Sequence, residues 1–118
     1  MPTSEAASFP AGAVVVVPFP FSDRLAEKRR PAVIVSGPDV AEAGFVWIAM
    51  ITSARNTTVP GDLPILDLAR AGLRVKSLVR PIKLACIEPG RILRRIGTLP
   101  DETAEAVFDA IRARVGRS

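Results

Sequence analysis

Apolar residues fall along this chain in short blocks separated by turn-forming residues, and only near the C-terminus does their spacing lengthen to threes and fours. Ala13 to Val17 is a continuous apolar run closed by Pro18, and runs of this length rich in β-branched residues read as buried strands. Pro18-Phe19-Pro20-Phe21 alternates a fixed-φ residue with an aromatic, which predicts a stiff extended exit with both rings packed on the core or its rim. A polar loop follows from Ser22 to Arg29, long enough for a functional β-hairpin connection. The next strand is expected at Pro31 to Ser36, with Pro31 at its mouth because it has no N–H for a ladder. Gly37-Pro38-Asp39 predicts a turn. Phe45 to Ile51 reads as a third strand, buried on both faces with Trp47 in the core, and it ends abruptly in Thr52-Ser53-Ala54-Arg55-Asn56.

The second half continues the pattern. Leu63 to Leu68 contains Pro64 and reads as an edge strand. Asp67 to Gly72 fits one helical turn stopped by a left-handed glycine. Ser77 to Ile87 is a long strand carrying Pro81 at its middle, which demands a bend, a bulge or an edge position. A last strand is expected around Leu93–Ile96. From Pro100 onward the period changes: Ala104, Val107, Phe108, Ile111 and Val115 form one apolar stripe. Acidic residues open that segment and arginines close it, as a helix dipole favours. The expected fold class is mainly β (α+β), a small, strongly bent barrel of five to seven strands with a C-terminal α-helix. Residues 1–11 read as a flexible lead-in and 12–118 as a single domain.

Composition narrows the chemistry. The 118 residues include no histidine and one cysteine, Cys86. The usual neutral-pH base, the Ser-His and Cys-His nucleophile systems and soft transition-metal sites are thereby excluded. Any reaction must run on Arg, Lys, Ser, Thr, Asp or Glu, and neither a metal nor a cofactor is expected. The lone cysteine fits a reducing compartment. With no apolar run of membrane-spanning length and no basic region ahead of an apolar segment, a cytosolic protein without membrane contact is expected. The net charge is +4. Residues 101–118 hold three basic and four acidic side chains, so the first hundred carry thirteen basic against eight acidic. An excess concentrated there points to a polyanionic partner, nucleic acid first, although a merely basic surface accounts for the same number.

Lys28-Arg29-Arg30-Pro31-Ala32-Val33-Ile34-Val35-Ser36 draws these threads together, since it runs three cations directly into a strand. The residue before a proline is pushed to extended conformations, so Arg30 is expected at the strand's rim, where a phosphate can reach it. The ordered series Gly12 to Asp23, Arg29 to Ser36, Ile51-Thr52-Ser53, Gly72-Leu73 with Ser77-Leu78-Val79-Arg80, and Arg94 to Leu99 resembles the MazF/PemK family of bacterial toxins. The resemblance spans residues 12–115. Ala13 departs from the acidic residue usual in that family. The resemblance implies an SH3-like barrel and a homodimeric endoribonuclease that cuts single-stranded RNA without metal. It further implies an antitoxin partner whose acidic, disordered tail occupies the RNA groove. Residue by residue, it places the catalytic pair on Arg30 and Thr52; Ser77 and Arg80 match the stretch after the Gly-Leu motif, and a structural part is favoured for both.

As a hypothesis, the reaction is attack of a ribose 2′-OH on its own phosphorus, so the RNA supplies the nucleophile. Arg30 would stabilise charge on the phosphoryl oxygens with its planar fork, and Thr52 would donate to such an oxygen or fix the attacking hydroxyl. Lys28, Arg29, Ser53 and Arg55 would position the RNA backbone. Glu27 and Asp23 stand as alternatives for the base. Phe19, Phe21 or Trp47 could stack bases, with packing favoured for each. Two other functions fit parts of the chain: a non-catalytic RNA-binding module on the same barrel, and a gyrase-poisoning toxin like CcdB. The second lacks support at the C-terminus, which ends Arg114-Val115-Gly116-Arg117-Ser118 without the tryptophan that such toxins use.

Overall fold

A computed structural model describes residues 9–19 and 28–116. Among them the chain forms strands β1 (Ala13–Phe19), β2 (Lys28–Ile34), β3 (Val46–Ser53), β4 (Leu63–Pro64), β5 (Ser77–Ile87) and β6 (Arg94–Thr98). The helices are α1 (Pro38–Glu42), α2 (Leu68–Ala71) and α3 (Asp101–Arg112). The strands make one antiparallel sheet in the order β4-β5-β3-β2-β1-β6, curled into a half-barrel with α3 against it. The expected mainly β architecture with a C-terminal helix is the one observed. No helix among the described residues is long and apolar enough to cross a membrane.

The central strands are apolar on both faces, and alternation divides their side chains between two cores. Val14, Val33, Ala49, Ile51 and Val79 gather on the face covered by α3, where they meet Ala104 and Val107. Val15, Val17, Ala32, Ile34, Ile48 and Met50 form the second cluster on the opposite face, joined at its margin by Phe9 and Phe19. Burying a Val or Ile side chain contributes about 1.5–3 kcal/mol, so these two layers hold the sheet in register.

Four local expectations meet the structure differently. Gly72 stops α2 at φ 78°, as the sequence predicts, and Asp67 additionally caps it by accepting from the Arg70 N–H at 3.1 Å. Pro81 lies in an interior strand and is accommodated by a bulge: Met50 faces Arg80 but Ala49 faces Leu84, leaving Pro81–Lys83 looped out of the β3 ladder. Gly37-Pro38-Asp39 begins the short α1 rather than a simple turn, because proline is pre-organised for a first helical position. Trp47, expected in the core, is 49% exposed. It faces the α3 side of the sheet, but α3 packs over β4 and β5 and leaves that end of β3 uncovered.

The tightest joint lies between α2 and β6. A Cβ on Gly72 would collide with the Ile96 carbonyl, and one on Gly97 with the backbone of Arg70 and Ala71. Gly72→Ala combines that clash with a positive φ, so it should destabilise the protein by about 2–3 kcal/mol. Gly116→Ala, which meets nothing, should stay within about 0.5 kcal/mol. Urea midpoints at unchanged m-value measure both.

Candidate active site

The strands that build the site part company at a proline. β2 and β3 pair from Ile34 with Ile48 to Ala32 with Met50. Carried two residues further, that register sets Arg30 opposite Thr52. The ladder stops short of them. Toward β1, β2 remains paired as far as Lys28, but toward β3 its pairing begins only at Ala32. Pro31 therefore sits inside β2, not at its mouth, in a stretch with one partner strand where its missing N–H is tolerated. Past this point β2 and β3 open into a cleft of about 370 Å³, whose lining includes Arg30, Met50, Thr52, Asn56, Arg80 and Lys83.

Alternation puts these groups on one face. Arg30 shares the side of Ala32 and Ile34, Thr52 that of Met50, and Arg80 lies opposite Met50 in the β3–β5 ladder. The Pro81 bulge re-aims the strand so that Lys83 also lines the cleft. The lining thus carries three cations and no carboxylate among the described residues.

Arg80 is committed to the fold. Its Nε donates to Asp62 Oδ1 at 3.0 Å and its Nη2 to Asp62 Oδ2 at 2.9 Å, with a further bond from Nη2 to the Thr57 carbonyl at 2.9 Å. Asp62 also accepts from the Val59 N–H at 2.9 Å. The two side chains are 16% and 5% exposed, so the pair is sheltered from water. The Arg80 hydrogen bonds hold the Asp62 carboxyl below its ordinary range, aided by the Val59 N–H and the guanidinium charge and opposed by burial. The same pairing raises Arg80 further. This fork ties the loop 54–62 to β5 beside Thr52.

That loop supplies a group the sequence did not single out. Asn56 Nδ2 donates to Thr52 Oγ1 at 2.6 Å, four residues back. Lys83 was likewise missed. The signals were an amide in a turn just past an apolar strand, and a lysine two residues beyond a mid-strand proline.

The remaining candidates lie elsewhere. Arg29 faces the other side of the sheet and lines a separate hollow with Arg74 and Arg94. Ser53 Oγ accepts from the Arg55 N–H at 3.2 Å, closing a turn, and both residues line a third hollow with Val75 and Lys76. Lys28 is exposed at the outer end of β2, opposite Phe19. Ser77 is buried and bonds to the Val75 carbonyl. Phe21, Asp23, Glu27 and most of the loop Ser22–Arg29 lie outside the described residues. Among the described residues, no cluster of three or more acidic, cysteine or histidine side chains is placed to hold a metal ion.

The family described as the PemK-like, MazF-like toxin of type II toxin–antitoxin systems matches residues 11–115. No curated protein matches. Among solved structures, a chain of the MazE–MazF structure (form II) from Deinococcus radiodurans superposes with a TM-score of 0.67 at 19% identity, over 92% of this chain and 96% of that one. The Mycobacterium tuberculosis toxin MazF-mt6 gives 0.67 at 22% identity, over 86% and 93%. An endoribonuclease bound to its cognate antitoxin, from a mycobacterial species, gives 0.69 at 13% identity, over 88% and 91%. At these identities the superpositions show a shared fold.

The sheltered ion pair makes a pH prediction. Because the folded-state pKa of Asp62 is depressed, its stabilisation is complete above the unfolded carboxylate pKa and is lost as pH falls below about 4. Asp62→Ala should cost about 2–3 kcal/mol at pH 7 and less under acid, so that the two unfolding curves converge toward pH 2. A gap that is unchanged by acid would remove the pair from the account.

Proposed function

Because this chain belongs to the PemK-like, MazF-like family of type II toxin–antitoxin toxins, we propose that it is an endoribonuclease cleaving single-stranded RNA in the cleft between β2 and β3. The observation that carries this reading is the convergence of Arg30 and Thr52, from separate strands, on one cleft lined with cations. A scissile phosphate bound there would meet a planar fork from Arg30, a hydroxyl from Thr52 and the charge of Lys83.

The reaction needs little from the protein. The 2′-oxygen forms a bond to phosphorus as the bond from phosphorus to the 5′-oxygen breaks. The proton leaving the 2′-hydroxyl is balanced by one gained at the 5′-oxygen. The products are a 2′,3′-cyclic phosphate and a 5′-hydroxyl. The protein orients the chain for in-line attack and stabilises charge developing on the non-bridging oxygens. A guanidinium cannot serve as a base, so Arg30 acts as electrostatic stabiliser. Either Asp23 or Glu27 is proposed as the base that takes the 2′-hydroxyl proton. Metal and cofactor have no part in this scheme.

The partners follow the same chemistry. An antitoxin with an acidic, disordered tail would compete with RNA for the cationic cleft in the cytosol. Homodimerisation is supported by an apolar row on the uncovered end of the sheet: Phe45, Trp47 and Leu84 are each 41–49% exposed, and Cys86 is exposed opposite Trp47. A second copy of the chain would cover this row and remove its apolar surface from water. Trp47→Glu should therefore shift the protein toward monomer in light scattering, and an unchanged mass would remove that surface from the dimer.

The main test is cleavage of single-stranded RNA in EDTA by wild type and Arg30→Ala, with fragment ends mapped. The expected outcome is fragments with 5′-hydroxyl ends from wild type and a loss on the order of 100- to 1,000-fold for the variant. RNA binding without cleavage by wild type would indicate a binding module. Equal cleavage by both proteins would remove Arg30 from the site.

A further inference from the structure

Thr52 has two possible parts at a scissile phosphate. Its hydroxyl can accept a hydrogen bond from the attacking 2′-hydroxyl, or it can donate its own hydrogen to a phosphoryl oxygen. A threonine hydroxyl holds one hydrogen and two lone pairs, and its neighbours decide which is offered. Here a carboxamide nitrogen, which only donates, already sits on the oxygen: Asn56 Nδ2 lies 2.6 Å from Thr52 Oγ1. The Thr52 hydroxyl donates to no described residue. Among the described residues, that hydrogen is left unclaimed.

Asn56 is itself held. Its N–H donates to the Ser53 carbonyl at 3.0 Å, and Ala54 N–H donates to the Lys76 carbonyl at 2.9 Å, fixing the start of the loop. Arg80 holds the next residue through the Thr57 carbonyl and the loop's end through Asp62. The amide is thus presented to Thr52 by an anchored loop. We propose that Asn56 is a positioning residue that polarises the Thr52 hydroxyl as a hydrogen-bond donor to a non-bridging phosphoryl oxygen. This rests on the ribonuclease reading above. It assigns Thr52 to charge stabilisation and leaves acceptance of the 2′-hydroxyl proton to another group. It also gives the Arg80–Asp62 fork a purpose beyond stability, since that fork fixes the loop from which the amide reaches.

The test is a double-mutant cycle on RNA cleavage, with kcat and KM measured separately for wild type, Asn56→Ala, Thr52→Val and the double variant. Thr52→Val keeps the β-branched shape that suits a strand and removes the hydroxyl. Asn56→Ala should lower kcat about tenfold with KM within about twofold, the size expected for one hydrogen bond acting in the transition state. In the Thr52→Val background the same substitution should change kcat by less than about twofold, because no hydroxyl remains to orient. In a Thr52→Ser background the tenfold loss should return. A full tenfold loss on top of Thr52→Val, or a loss confined to KM, would overturn the proposal and leave Asn56 a loop or binding residue. Absence of cleavage by wild type would overturn the ribonuclease reading and this inference with it, whereas wild-type cleavage with an additive cycle would overturn this inference alone.

Discussion

Burial of the sheet on both faces is the constraint from which the rest of the molecule follows. β3 has neighbours on either side and apolar side chains above and below, so along Ile48 to Ile51 there is little room for a polar group. Polar chemistry is pushed to the ends of the apolar runs, where ladders stop and water enters. Two such ends meet. β2 begins in cations and turns apolar, β3 is apolar and ends in hydroxyls, and antiparallel pairing lays the start of one beside the end of the other. The cleft between Arg30 and Thr52 is a consequence of strand direction as much as of the residues themselves.

The surroundings of that cleft are arranged by backbone irregularities. Pro31 removes a donor where β2 leaves β3, and the Pro81 bulge brings Lys83 into the lining. Neither proline fits the simple rule that prolines keep to strand edges and mouths. Each instead falls at a break in a ladder, which satisfies the same physics, since a missing N–H costs nothing where no acceptor waits for it. The Asp62–Arg80 fork then secures the loop across the break. Arg80 is neutralised by a sheltered carboxylate, whereas Arg30 has no carboxylate partner among the described residues, and that difference in partners sets the two arginines apart.

Family membership and the open cleft bear on different parts of the functional reading. Membership connects the chain to toxins of toxin–antitoxin systems, and the superposed structures add a common fold at low identity. The cleft gathers Arg30, Thr52 and Lys83, the groups on which the proposed reaction relies in a sequence without histidine. Of the six candidate site residues, Arg30 and Thr52 share that cleft. Arg29 differs from Arg30 by one position and hence by one face, which alternation imposes on any strand. Ser53 departs from Thr52 for the same reason.

The order of strands and turns, the C-terminal helix and the one-turn helix between Asp67 and Gly72 were legible in the sequence, because each depends on neighbours a few residues away. Apolar period marks α3, a carboxylate side chain caps α2, and glycine alone adopts the left-handed stop at low cost. Composition likewise excluded histidine and soft-metal chemistry before any coordinate was known. What the tertiary structure decided was which face each side chain takes and what lies opposite it. Trp47 belongs to an apolar strand by pattern, yet it is half exposed because α3 ends up over β4 and β5. Asn56 and Lys83 reach the cleft only through a turn and a bulge whose geometry depends on distant strands. A period-two pattern records that faces alternate, but the partner that covers each face comes from residues far away in the chain, and only folding brings the two together.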